Sequence, residues 1–365
     1  MSNEIYNKLI KNKSLTDAEL FGVDEPPTEF LSSGIITLNC GCCGKIDAGF
    51  ALGKITLFSA HSMLGKTIIG MVALRDAQKR GIFCVVLDAE YQWDWSLAIK
   101  IGLDPDPKKI VVYPNNQIEE VQAKIMQITA DLTKEEKKKI YFMLDSWGSL
   151  VGHEGVAKAQ DPDSKKDFVL TQKKNNLANM ILHTQCGFYI TNGVYDNVGG
   201  FGELLKIPGG RRIILNAQTV ILGMSKAKSK DGSGKDAEVS GSIVSCVMHK
   251  ARYGRERKEF QFRINYDGGL DIFYGILDDA ILGGYVKEDG NAYIRTHIKG
   301  DTKWKEKNIY CSKFWIPLFK ETDFPQYLEK QYTFQGDFEI KSNTFYEEIS
   351  NAKTKPACTP EPATK

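Results

Sequence analysis

Ser59-Ala60-His61-Ser62-Met63-Leu64-Gly65-Lys66-Thr67 sits between an apolar run, Lys54–Ser59, and an amphipathic one, Thr67–Lys79. Strand, short loop and helix in that order form a phosphate-binding arrangement. The loop's backbone N–H groups and the helix N-terminus converge on phosphate, Lys66 neutralises the β/γ charges, and Thr67 offers a hydroxyl to Mg²⁺. Residues Ala60, His61, Ser62, Met63, Leu64, Gly65, Lys66 and Thr67 are therefore the candidate nucleotide contacts. One position departs from the pattern G-x-x-x-x-G-K-[ST]: Ala60 stands where glycine is expected, for a backbone that alanine adopts less readily.

Two further apolar runs end in acids. Phe142-Met143-Leu144-Asp145 delivers a carboxylate 79 residues after Lys66, as a residue that holds Mg²⁺ beside Thr67 would be. Val85-Val86-Leu87-Asp88-Ala89-Glu90 places Glu90 24 residues after Lys66, where a carboxylate at the tip of a neighbouring strand can deprotonate an attacking water. Carboxylates at strand tips downstream of a phosphate loop suit the carboxyl edge of an open α/β sheet.

Outward from these motifs, short β-rich runs alternate with helical stretches. Expected strands are Lys54–Ser59, Phe83–Asp88, Ile110–Tyr113, Ile140–Asp145, Gly187–Asn192, Thr219–Met224, Ser242–His249 and Glu259–Asn265, with helices over Thr67–Lys79 and Gln117–Asp131. The early strands are continuous apolar runs, so they predict a buried, mostly parallel central sheet with helices on both faces. The later ones are closely spaced and predict antiparallel additions. Before this core, residues 1–33 carry two short helical patterns, Asn3–Lys11 and Leu15–Leu20, too small to fold alone. After the core, 34–275, come a helix at Leu277–Leu282 and a segment with Trp304, Phe314 and Trp315 that reads as a small α/β module over 276–350. Residues 351–365 hold three Pro and no aromatic, which predicts a disordered tail.

A chain of 365 residues with 42% hydrophobic and 26% charged residues can bury a core, which excludes wholesale disorder. No apolar run approaches the roughly 20 residues that span a bilayer, and the N-terminus lacks a basic and apolar leader, so a cytoplasmic, membrane-free protein is expected. The net charge of +2 conceals an excess: from Leu205 to Arg263 there are 13 Lys/Arg against 5 Asp/Glu, a local +8. Such a strip suits a polyanion. Cys40, Cys42 and Cys43 lack the second pair that tetrahedral zinc needs and are expected to be packing thiols.

With these motifs in order, the sequence resembles the RecA-type strand-exchange recombinases, their phage members above all. The resemblance runs from about Leu31 to about Phe319, roughly four fifths of the chain. Leu31–Asn39 looks like the family's opening segment, Asp88-Ala89-Glu90 like the motif of its catalytic glutamate, and Gly102-Leu103-Asp104-Pro105 like the segment after the next helix. Pro208-Gly209-Gly210-Arg211 matches the glycine pair closing the second DNA loop, and Lys250-Ala251-Arg252 the two basic residues that reach a neighbouring subunit's ATP. Asn265–Asp271 through Tyr274–Asp278 resembles the junction into the C-terminal module.

The resemblance implies a RecA-like P-loop ATPase core with a short N-terminal polymerisation segment. It also implies ATP and Mg²⁺ as cofactors, Thr67 and Asp145 as metal residues, Glu90, Lys66, Lys250 and Arg252 as catalytic groups, and Asp94 near the nucleotide. Implied partners are single- and double-stranded DNA, further copies of the chain in a helical filament, a single-strand-binding protein and a loading mediator. The expected DNA-binding residues are Phe201, Lys206, Gly209, Gly210, Arg211 and Arg212. Their stretch, residues 193–212, has six Gly that let a backbone approach a sugar-phosphate chain and cations that release its counterions. The first DNA loop falls within residues 152–167, with mixed charge. Lys250 and Arg252 are two apart in a strand-like run, so both are expected on one face. Where relatives place a polar nucleotide sensor this chain has Gly193, leaving Asn192 as the candidate. The expected function is a DNA-dependent ATPase that pairs and exchanges strands. A RecA-like ring ATPase and a DNA-coating filament with weak turnover are the alternatives.

Overall fold

A computed structural model describes residues 29–152, 168–197, 205–231, 238–305 and 308–333. The helical patterns before residue 29, residues 153–167 of the first candidate DNA loop, Phe201 and the tail lie outside the described residues.

The described chain starts with β1 (Phe30–Leu31), α1 (Ile36–Cys43) and β2 (Phe50–Ala51), β1 and β2 pairing antiparallel. Strands and helices then alternate: β3 (Ile55–Ala60), α2 (Lys66–Lys79), β4 (Phe83–Asp88), α3 (Trp95–Ile101), β5 (Ile110–Pro114), α4 (Ile118–Thr129), α5 (Lys134–Lys137), β6 (Ile140–Asp145), α6 (Phe168–Thr184) and β7 (Gly187–Asn192). A two-stranded hairpin, β8 (Tyr195–Asp196) and β9 (Leu205–Lys206), precedes α7 (Arg211–Asn216). Next come β10 (Thr219–Asp231), β11 (Glu238–Ala251), β12 (Glu259–Asn265) and β13 (Gly269–Asp271). The last described elements are α8 (Leu277–Leu282), β14 (Val286–Asp289), β15 (Ala292–Arg295), β16 (Trp304–Lys305), α9 (Ser312–Glu321) and α10 (Phe324–Tyr332).

The central sheet has nine strands in the order β13-β12-β11-β10-β3-β7-β6-β4-β5. From β10 to β5 every neighbouring pair is parallel, and β11, β12 and β13 add on antiparallel. This is the expected α/β architecture. Its two-sided burial is visible in β6, where Tyr141 and Met143 enter one core cluster and Phe142 and Leu144 the other. Side chains alternate across the pleat, so a strand apolar at every position must be covered twice. Helix α2 covers the first face with Ile69, Met71 and Leu74, while α4 and α6 cover the second with Val121, Ile125, Leu177 and Ile181. Phe142 stacks on Phe188 of β7 with ring centroids 4.5 Å apart, and truncating it to Ala would cost about 3–5 kcal/mol.

The structure corrects the bounds of two expected strands and adds one helix that no sequence pattern indicated. The strands expected to stop at Met224 and to begin at Ser242 run on to Asp231 and from Glu238, so β10 and β11 form a long antiparallel pair. Pairing of β10 with β3 ends at Gly223, and the rest of β10 is held by β11 alone. Ile36–Cys43 is a helix all of whose residues are buried, ended by Gly44 at φ 74°, whose amide donates to the Cys40 carbonyl. With no polar face it has no amphipathic stripe to read. Burial pushes the Cys40 and Cys42 thiols well up and Cys43 to about 11, as packing groups. In the C-terminal segment, β14, β15 and β16 form a three-stranded antiparallel sheet, and Phe314 packs edge-on to both Trp304 and Trp315. Among the described residues no helix is long and apolar enough to cross a membrane.

Candidate functional site

The carboxyl ends of β3, β4, β6 and β7 bring Ala60, Asp88, Asp145 and Asn192 to one edge of the sheet. From Ala60 the chain turns through residues 61–65 into α2, with Gly65 as N-cap at φ 78°. Met63 also has a left-handed backbone, φ 64°, and its side chain is exposed. Such a conformation in a non-glycine residue is the kind of local strain that clusters at binding loops. Lys66 Nζ donates to the carbonyls of Ala60 at 2.9 Å and His61 at 2.8 Å, and burial lowers its pKa against the opposing pull of Asp145 and Glu90. One turn into α2, Gly70 comes so close to the sheet that a Cβ would lie 2.7 Å from Met143 and Tyr189 atoms. That contact seats the helix directly on β6 and β7, and the Tyr189 hydroxyl donates to the Lys66 carbonyl at 2.8 Å.

The departure at Ala60 has a local explanation. Ala60 is the final residue of β3, fully buried, and needs no glycine backbone there. Its register partner is Gly223 of β10, which leaves room for the methyl group.

Thr67, in the first turn of α2, meets Asp145 although β7 lies between β3, which leads into that helix, and β6: Thr67 Oγ1 donates to Asp145 Oδ2 at 2.6 Å. Thr191 Oγ1 donates to the other oxygen, Oδ1, at 2.5 Å. Burial nonetheless raises the Asp145 pKa, with Thr191 and Thr67 pulling the other way. A carboxylate buried between two hydroxyls, close to Lys66, suits a divalent cation. Across the β4–β6 pair, Asp88 is level with Asp145, and the Glu90 amide donates to the Asp145 carbonyl at 3.2 Å. Asp88 fixes this turn by accepting from the amides of Gln92 at 3.2 Å and Trp93 at 2.9 Å. Glu90 is exposed and its Oε1 accepts from Ser146 Oγ at 2.5 Å, immediately after the cis Asp145–Ser146 peptide. Both acids thus stand at one point of the edge. Asp94 caps α3, accepting from Ser96 and Leu97, and hydrogen bonding, that of the Ser96 hydroxyl first, lowers its pKa.

The described parts of the second candidate DNA loop are tied to the same edge. Asn192 is buried and donates to the Pro208 carbonyl at 2.9 Å, and Trp147 Nε1 donates to the Gly209 carbonyl at 2.9 Å. A Cβ on Gly209, at φ 90°, would lie 2.5 Å from Trp147 Cδ1, so this turn requires glycine. Lys206, Arg211 and Arg212 are exposed beside it.

In sequence the chain is 24% identical over 348 residues to the recombination and repair protein (UvsX) of Enterobacteria phage T4, across 90% of this chain and 85% of that protein. It is 25% identical over 246 residues to protein RecA of Chloroherpeton thalassium, across 66% of each chain. With protein RecA of Aquifex pyrophilus it shares 24% over 254 residues, 67% of this chain and 68% of that one. The chain is related to the RecA-type recombinases. No family model matches it. The core described above is accordingly a RecA-like core.

In this RecA-like chain, Lys250 lies in β11 and donates to the carbonyls of Ile214 at 3.2 Å and Leu215 at 2.7 Å, near the end of α7. Burial lowers its pKa, and the charge of Arg252 adds to the fall. The strand stops at Ala251, so Arg252 lies in a bend beyond it, and pleat alternation does not set its direction as the sequence suggested. Sequence reasoning also passed over Ser146, Trp147, Thr191, Lys174 and Asp196. Thr191 and Ser146 carried a legible signal, polar residues at the tips of apolar runs. Lys174 did not: within a helix it reads as a solvated face, yet it is buried and donates to the carbonyls of Trp147 at 3.0 Å and Gly148 at 3.3 Å.

Proposed function

We propose that this chain is a DNA-dependent ATPase that assembles as a helical filament on single-stranded DNA and carries out homologous pairing and strand exchange in recombination, repair and replication. The observation that carries the reading is the meeting of Thr67, Asp145 and Glu90 at the edge to which Trp147 and Asn192 also tie the Pro208-Gly209 turn. ATP chemistry and DNA contact would then share a few strand tips.

In this reading the backbone of residues 60–67 and Lys66 hold the phosphates of ATP, and Thr67 and Asp145 hold Mg²⁺. The metal, when bound, neutralises charge on the β- and γ-phosphates. Glu90, held by Ser146, takes the proton of the attacking water. Lys250 and Arg252 act on the ATP of a neighbouring copy and link turnover to assembly. Asp94 stands near the nucleotide while capping α3. Lys206, Arg211 and Arg212 neutralise DNA phosphates, Gly209 and Gly210 allow close approach, Phe201 packs on a base step, and Asn192 reports nucleotide state to the DNA loop. Residues 1–33 dock on the next copy, and residues 276–350 form the C-terminal module. A cytoplasmic setting, a single-strand-binding protein and a loading mediator complete the picture.

Negative-stain imaging with a non-hydrolysable ATP analogue, with and without single-stranded DNA, tests it. Open helical filaments on DNA are expected. Closed hexamers would instead indicate a ring ATPase, and DNA coating without ATP turnover would indicate a binding protein.

A further inference from the structure

The phosphate-loop residue His61 touches the hairpin that opens the second candidate DNA loop. Its Nε2 lies 3.3 Å from Asp196 Oδ1. Asp196 ends β8, whose register on β9 sets Tyr195 against Lys206 and Asp196 against Leu205. The carbonyl of the same His61 accepts from Lys66 Nζ at 2.8 Å. One residue therefore has its backbone on the lysine suited to phosphate and its ring on the hairpin suited to DNA.

We infer that His61, acting through Asp196, is a positioning residue that couples nucleotide state to the DNA-binding hairpin. The inference rests on the ATPase reading above and adds to it the side-chain pair that carries the coupling. A triphosphate in the loop competes with the carbonyls of Ala60 and His61 for Lys66. Loss of the Lys66 bond frees the His61 peptide to turn, and that turn moves the imidazole relative to Asp196. Gly193, directly after β7, offers no side chain for this task, and Asn192 is turned inward onto Pro208. His61 supplies a second link, from the phosphate loop to the hairpin, beside the Asn192 contact with Pro208.

The exposure of the pair fits the role. The side chains of His61 and Asp196 are 41% and 70% exposed, and polar side-chain contacts in that setting add little to stability. Breaking the pair should leave the fold intact while changing how the hairpin responds. Coupling between two sites is reciprocal, so whatever nucleotide does for DNA affinity, DNA does for nucleotide affinity.

The test uses the full chain and a fluorescent oligothymidine. Its affinity is measured by anisotropy with a non-hydrolysable ATP analogue and with ADP, and the readout is the ratio of the two. His61→Ala and Asp196→Ala should each lower that ratio about fivefold or more. The double variant should lose no more than either single one, and Asp196→Glu should recover most of the ratio. Asp196→Asn, close in shape, serves if the alanine variant folds poorly. A ratio unchanged in the single variants, or losses that multiply in the double, overturns the coupling role alone. So does a wild-type chain that binds both ligands without any nucleotide dependence. A wild-type chain that binds neither ligand overturns the ATPase reading, and this inference with it.

Discussion

Ala60 at the end of β3 faces Gly223 of β10, and a Cβ added to Gly223 would lie 2.6 Å from the Ala60 methyl. The space that a glycine at the start of the phosphate loop would leave is supplied from the neighbouring strand. Gly223→Ala should therefore destabilise the chain by about 1–3 kcal/mol and weaken nucleotide binding, because overpacking pushes the loop's first residue. Ala60→Gly in the same chain should restore much of the loss. Urea unfolding and fluorescent-nucleotide titration read both effects, and a Gly223→Ala chain as stable as wild type would refute the complementarity.

Glu90 is exposed, held by Ser146, and bonded through its amide to the Asp145 carbonyl. Gln keeps the size and the hydrogen bond but not the basicity. Glu90→Gln should lower ATP hydrolysis by about 10²–10⁴-fold with nucleotide and DNA binding retained. Phosphate release at saturating ATP measures it, and normal turnover would remove Glu90 as the base.

What the sequence made legible follows from where its signals are local. The bounds of β4, β6, β7 and β12 agree with the expected runs because each strand is a compact apolar or alternating stretch between turn signals. The second half of β10 escaped because Ser225, Lys226, Ala227 and Lys228 are exposed and pair only with β11, so the run carries no buried apolar pattern. Helix α1 escaped for the opposite reason, being buried all round. At the site, the strand-tip acids and Lys66 were readable as residue types in order. The His61–Asp196 contact and the Gly223 space depend on which strands become neighbours, which no local pattern states.

Asp145 tests the trade between stability and metal binding. Its folded pKa is raised by burial, so the folded chain holds that proton more tightly than the unfolded chain. The site is most stabilising below the unfolded carboxyl value, about 3.9, and loses that contribution as pH rises through the raised folded value. Asp145→Asn should keep or raise the urea midpoint at neutral pH, flatten this acid-side slope, and abolish Mg²⁺-dependent tightening of nucleotide. A marked fall in neutral-pH stability would count against burial as the dominant influence on Asp145.

Arg211 and Arg212 are exposed next to the Gly209-Gly210 turn. If both neutralise phosphates of a single strand, replacing both with Ala should lower the slope of log affinity against log salt by about 1.4, at roughly 0.7 per contact. The loss should be similar for all base compositions, since phosphate contacts carry no sequence information. An unchanged slope in an anisotropy titration would exclude them from the interface.

Lys174 is buried beneath the turn after β6, and burial lowers its pKa to about 8. Its Nζ donates hydrogen bonds to the carbonyls of Trp147 and Gly148, and Trp147 Nε1 in turn donates to the Gly209 carbonyl. The folded pKa lies below the ordinary lysine value of about 10.4, so between these two the unfolded chain binds more protons and stability rises with pH. Lys174→Met keeps the length of the side chain and removes the titration, so that rise should disappear from urea midpoints measured across the interval. The same variant leaves two carbonyls without their donor and loosens the Trp147 turn, so single-stranded DNA affinity should fall at neutral pH even where stability does not. Parallel pH profiles for variant and wild type would show that Lys174 is charged and solvated in solution, and the Trp147 turn would then need another explanation for its position.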